Sequence, residues 1–151
     1  MGMFRLFIRV LPVIYMIFIW WQSGSLNPES LITLAPYLGY TLVSFLGVGL
    51  ELAHLFEFGL LYLFIALFFL SYGSISKRGT ILALVISLLY GFIDEVHQYF
   101  VPFRSPSLID LLKDIVGVIV VWYVMHHFYL VKKDSKINAF LTKITELSQK
   151  H

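Results

Sequence analysis

Long stretches without any charge constrain this chain more than any other feature. Val10 to Trp21 carries none, nor does Ile81 to Ile93, nor Ile115 to Val124. Val48 to Ser71 is apolar except at its start. With its flanks, each stretch approaches the roughly 20 residues that carry a helix across a bilayer. A backbone in hydrocarbon must satisfy its own hydrogen bonds, and runs of this length do so as helices. Composition agrees: 59% of the 151 residues are hydrophobic and only 13% are charged, whereas soluble domains are about a quarter charged. The expected fold is all-α, a polytopic membrane protein with four transmembrane helices plus short interfacial helices. Residues 1–133 form the transmembrane domain and 134–151 a polar tail. Cysteine is absent, which excludes disulfides and thiol chemistry. The basic residues follow no groove-reading pattern, so nucleic-acid binding has no support.

In chain order, the first membrane helix is expected over Leu6 to Gln22, after Arg5 and Arg9. A cleaved signal peptide ending near Ser23-Gly24-Ser25 is the competing reading, but Trp20 and Trp21 suit the interfacial belt of a retained helix. Ser23 to Gly47 reads as a connection. Within it, Asn27 and Pro28 start a short interfacial helix whose apolar face is Leu31, Ile32, Leu34, Ala35 and Leu38. Val48 to Ser71, Thr80 to Val101 and Leu108 to Leu130 are the other three spans, and Pro102 ends the third. His126 and His127 are expected to be solvated. In the tail, Ile137, Phe140, Leu141, Ile144 and Leu147 fall on one helical face and Lys136, Lys143 and Lys150 elsewhere. That pattern suits a helix lying on an anionic membrane surface, and a frayed tail is the competing reading.

Orientation follows from the lysines and arginines, which concentrate in short cytoplasmic loops. Of 11 such residues, all but Arg104 and Lys113 fall on one side of a four-span topology. Both termini are thereby assigned to the cytoplasm, in a multi-pass protein of the cell membrane.

This topology gathers the polar groups at the outer side. Glu51, His54 and Glu57 recur every three residues at the start of the second span, on one side of a helix. Asp94, Glu95, His97 and Gln98 end the third, with Asp94 roughly 10 Å below its outer end. Asp94, His97 and Gln98 share a face, and Glu95 is rotated away. Arg104, Ser107, Asp110 and Asp114 follow in the loop and at the start of the fourth. Ionisable groups inside a membrane are costly and usually face an interior or a cavity. Three chemistries suit the set. In a membrane enzyme acting on a lipid-linked or envelope substrate, His54 or His97 is acid, base or nucleophile, oriented by Asp94 or Glu57. Arg104 then holds a phosphate. Asp110 and Asp114, with His54, Glu57, Asp94 or His97, can surround a divalent metal, although no complete metal signature exists. Glu95, Gln98, Ser107 and Asp114 are the candidate substrate-binding residues. A non-catalytic binding or gating module is the second chemistry, and a proton-coupled carrier the third. The alternative to all three is a structural network in which the same groups pair with one another.

At these residues the chain resembles the VanZ-like family of small membrane proteins. Asp94-Glu95-Val96-His97-Gln98-Tyr99-Phe100-Val101-Pro102-Phe103-Arg104, then Asp110, Asp114 and Gly117, is similar to that family's Asp-Glu-x-x-Gln, aromatic-Val-Pro, Arg and Asp-x-x-x-Asn/Asp-x-x-Gly series. Glu51, His54, Glu57 and Phe58 are similar to its Lys-x-x-His-x-x-Glu-Tyr. Glu51, Phe58 and Phe103 stand where the family usually has Lys, Tyr and Gly, so this chain lacks that lysine's positive charge. The resemblance covers roughly Trp20 to Tyr123. It implies a four-helix membrane protein that lowers susceptibility to the lipoglycopeptide teicoplanin. Membrane lipids, a lipoglycopeptide or a lipid-linked substrate are the partners in view.

Overall fold

The computed structural model describes residues 2–25, 33, 35–102 and 104–149, apart from the side chains of Leu50 and Glu51. The expected roles of Asn27, Pro28, Leu31, Ile32, Leu34, Phe103, Lys150 and the Glu51 side chain lie outside the described residues. Within them every regular element is helical: α1 (Met3–Ser25), α2 (Ala35–Leu38), α3 (Tyr40–Leu70), α4 (Lys77–Phe100), α5 (Leu108–Met125), a π-helical turn (His126–Val131) and α6 (Lys136–Gln149). Three of these, α1, α3 and α4, are long and apolar enough to cross a membrane.

The boundaries correct the sequence expectation in two places. The second long helix begins at Tyr40, not Val48, so residues 40–47 belong to a 31-residue helix rather than to the connection. Its start is set by Gly39 at φ 85°, a conformation open mainly to glycine. Gly47 and Gly49 cost the helix about 1 kcal/mol each, too little to break it within an apolar run. At 1.5 Å per residue α3 is about 46 Å long, so it outreaches the roughly 30 Å hydrocarbon core. The second correction concerns the last expected span, whose α-helix stops at Met125 and continues as a π-turn through Val131. His126 and His127 are therefore not simply solvated: both are half-buried, and their rings lie 5.4 Å from Trp122 and 5.9 Å from Tyr123.

The core is organised around α3. Phe58, Leu61, Tyr62, Ile65, Ala66 and Leu70, all buried, make a stripe down one side of it. Ile19 of α1, Ala83 of α4, Val118 and Met125 of α5, and Ile75, Tyr129 and Leu141 complete the cluster. In lipid such packing gains no hydrophobic energy over contact with acyl chains, so close approach and polar contacts must hold the helices. Both are present. A Cβ at Gly59 would sit 3.0 Å from Val121 and 3.1 Å from the Gly117 carbonyl, so α3 and α5 meet backbone to backbone. The Tyr90 hydroxyl donates to the Met16 carbonyl at 2.6 Å, tying α4 to α1. Arg9 Nε donates to Ser71 Oγ at 3.0 Å, and its guanidinium lies 3.6 Å over the Tyr72 ring. The outer faces of α1 and α4 stay apolar and exposed, as at Phe7, Ile14, Trp21, Leu89 and Phe92.

The tail folds back as α6. Ser135 caps it, accepting from the Asn138 amide at 3.0 Å, and the Asn138 side chain donates to the Tyr129 carbonyl at 2.9 Å. Leu141 is buried in the main core cluster. The single apolar face read from the sequence divides: Ile137, Leu141 and Ile144 turn inward, while Phe140 and Leu147 are exposed.

Candidate functional site

The site forms where α1 and α4 end and α3 and α5 approach one another. Gly117 removes the side chain that would hold α5 away from Leu55 of α3. Asp114, one turn earlier on α5, then meets His54, the neighbour of Leu55: His54 Nδ1 and Asp114 Oδ1 are 3.6 Å apart. Gly91 of α4 packs against the same place: a Cβ there would lie in ordinary contact, 3.5 Å from Phe58 and 3.6 Å from the Asp114 Cβ, so α4 comes close here without requiring glycine. One turn beyond Gly91, Asp94 is only 2% exposed and accepts from Gln98 Nε2 at 2.9 Å. Glu57, one turn from His54, accepts from Gln22 Nε2 of α1 at 3.5 Å. Glu57 lies within electrostatic reach of His54, Asp94, Asp114 and Arg104. His54, Glu57, Asp94, Gln98 and Asp114 therefore belong to one polar layer, with Arg104 at its margin.

The other candidates take different places. The Ser107 amide donates to Glu95 Oε2 at 2.8 Å, so Glu95 clasps the end of α4 to the loop before α5. The Ser107 hydroxyl caps α5 by accepting from the Asp110 amide at 3.2 Å. Asp110 itself pairs with Lys113 at 2.8 Å. His97 does not share the face of Asp94 and Gln98: its ring stacks on Trp20 at 3.7 Å and lies beside Gly24 of α1. At about 100° per residue, His97 falls about 60° short of a full turn from Asp94 and Gln98 about 40° past one, which places them on opposite sides of Asp94 and aims His97 at a different neighbour.

The buried carboxylates are not mutually satisfied. Glu57 Oε1, Asp94 Oδ1, Glu95 Oε1 and both oxygens of Asp114 are buried without a hydrogen-bond partner. The 3.6 Å approach of His54 to Asp114 is an ion-pair distance, too long for a hydrogen bond. Carboxylates buried together repel one another and are costly to ionise. They have the capacity to take a proton, a water or the N–H and O–H donors of a ligand. Among the described residues no three His, Cys, Asp or Glu side chains are grouped so as to hold a metal ion.

An apolar cavity of about 430 Å³ opens between the end of α4 and the start of α5, walled by Phe92, Val96, Tyr99, Phe100 and Leu111, with Glu95 and Ser107 at its edge. His54, Glu57, Asp94 and Asp114 do not line it. Sequence reasoning passed over Gln22 as a partner of Glu57 and Trp20 as a partner of His97. Their place beside the other polar groups at the same end of the membrane helices was the available signal.

Apolar helices packed around a buried acidic layer at one end define a small helical membrane protein. The chain belongs to the VanZ/LLP1 family, whose pattern matches residues 6–131, most of its length. No curated protein and no solved structure matches it significantly.

Proposed function

We propose that this VanZ-type protein crosses the membrane four times, with both termini in the cytoplasm, and presents its polar layer to the extracytoplasmic leaflet. In that position it lowers susceptibility to lipoglycopeptides such as teicoplanin. The fourth span is α5 with its π-turn. Asp110, Lys113 and Asp114 sit near its start, and the remainder is uncharged up to Val131. The bias of lysine and arginine toward the opposite end supports the orientation.

The observation that carries the reading is the burial of three acidic side chains on three helices, Glu57 of α3, Asp94 of α4 and Asp114 of α5. Burying several acidic groups together is expensive, and a site that exchanges donors with a ligand or with protons accounts for that cost. His54, Gln98 and Arg104 set the layer's charge and shape. Glu95 and Ser107 fix the loop above it, and His97 and Asp110 flank it.

A second reading, an enzyme acting on a lipid-linked phosphate or another envelope substrate, draws on the His54–Asp114 pair. A carboxylate beside an imidazole can orient it as a general base. The layer's excess of carboxylates repels a phosphate unless a cation accompanies it.

The test compares Asp94→Asn, Arg104→Gln and His54→Gln, each assayed for folded protein and for teicoplanin susceptibility. Asp94→Asn keeps the shape and removes the charge. It is expected to abolish protection while the protein accumulates normally. Full protection in all three variants at normal protein levels would overturn the functional reading of the layer.

A further inference from the structure

The helix α6 carries a second surface that its docking does not use. At 3.6 residues per turn, Ile137, Leu141, Ile144 and Ser148 fall within roughly 60° of arc. Leu141 and Ser148 on this arc are buried and the other two half-buried, so it is the face set against the bundle. A second arc of roughly the same width, about 100° away, holds Lys136, Phe140, Lys143 and Leu147. All four are exposed, Phe140 to 63% and Leu147 to 49%. A third arc, opposite the docked one, holds Ala139 and Glu146, both exposed.

The docked face fixes where the second arc points. The side chain of Gln149 reaches Gly73, where a Cβ would meet its Nε2 at 3.4 Å, and Asn138 is bonded to Tyr129. So α6 runs from the end of the π-turn to the loop between α3 and α4, as a crossbar over one end of the bundle. With its inner face on the bundle, a face a quarter-turn away points sideways, along the plane in which the membrane helices end. Lipid headgroups occupy that plane. The arc alternates cation and apolar group, Lys-Phe-Lys-Leu, and Lys132 and Lys133, both exposed, stand just before it. Long lysine side chains reach headgroups while their neighbours enter the acyl boundary.

We infer that α6 is a rigidly docked interfacial helix whose Lys136–Phe140–Lys143–Leu147 arc binds the anionic phospholipid surface surrounding the bundle. The inference concerns the end of the molecule opposite the acidic layer and does not depend on what that layer does. It also differs from a free tail settling on a membrane by its whole apolar face, because Leu141 is already committed to the core.

The chain has no cysteine, so single-cysteine probes are clean. The full chain carrying Phe140→Cys, or Ala139→Cys as the solvent-side control, is spin-labelled and reconstituted in vesicles of phosphatidylglycerol and phosphatidylcholine. Collision with oxygen and with a water-soluble nickel chelate then reports depth. The label at 140 is expected to favour oxygen several-fold over the label at 139. Its depth is expected to fall in pure phosphatidylcholine. Adding Lys136→Gln and Lys143→Gln is expected to make the two kinds of vesicle equivalent. Equal aqueous exposure at 139 and 140 in anionic vesicles would overturn the proposal. So would a depth at 140 indifferent to lipid charge, or dipolar broadening showing that a second copy of the chain covers the arc.

Discussion

The carbonyl oxygen of Leu55 occupies the space in which a side chain at Gly117 would sit. This contact sets the distance between α3 and α5, and through it the meeting of His54 with Asp114 at 3.6 Å. The glycine is thus a requirement of the polar layer, although it bears no chemistry of its own.

Gly117→Ala is accordingly expected to force the two backbones apart and destabilise the fold by about 1–3 kcal/mol or more, the usual range for overpacking. Gly47→Ala and Gly49→Ala place a methyl in open space and relieve a helical glycine, a gain of up to about 1 kcal/mol. Thermal unfolding in detergent separates the two cases. Equal behaviour of Gly117→Ala and Gly47→Ala would refute the close-packing argument.

The His54–Asp114 contact is expected to be coupled. Breaking a buried pair from one side typically costs about 3–5 kcal/mol. The double variant His54→Gln with Asp114→Asn should cost clearly less than the sum of the singles. A double-mutant cycle on unfolding measures this, and strict additivity would show that the two groups do not act on each other.

Glu95 is expected to work as a clasp through its bond from the Ser107 amide at 2.8 Å. Glu95→Ala should cost about 1–3 kcal/mol, as for hydrogen bonds to charged groups. Glu95→Gln, which retains an acceptor oxygen, should recover much of it. Ser107→Ala, which removes the cap of α5, should cost about 1 kcal/mol. If Gln proves as damaging as Ala at position 95, the residue acts by charge and not by holding the loop.

Topology is open to direct labelling. Cysteines at Ser105 and Ser74, both exposed, lie in loops at opposite ends of α4. A membrane-impermeant maleimide applied to intact cells should label Ser105→Cys and spare Ser74→Cys. The reverse pattern would place the acidic layer at the cytoplasmic leaflet.

What the sequence determined by itself was an all-helical chain with helices apolar enough for a membrane, their order, and the shared end of the helices at which the polar groups lie. Those follow from one-dimensional properties: the length of uncharged runs, the spacing of charges, and the proline after Phe100 and Val101. Only the tertiary structure decided which polar groups meet. His97 and Gln98 are adjacent in sequence, yet one stacks on Trp20 and the other donates to Asp94, because neighbouring residues on a helix face different partners. Phe140 and Leu141 part in the same way, one exposed and one in the core. The start of α3 at Tyr40 also lay beyond the sequence reading, since two glycines mark a loop only where no surrounding helix outweighs their cost. Periodicity fixes a residue's angle on its own helix; the angle at which that helix meets its neighbours is set by close contacts such as Gly117 on Leu55, and these exist only once the chain has folded.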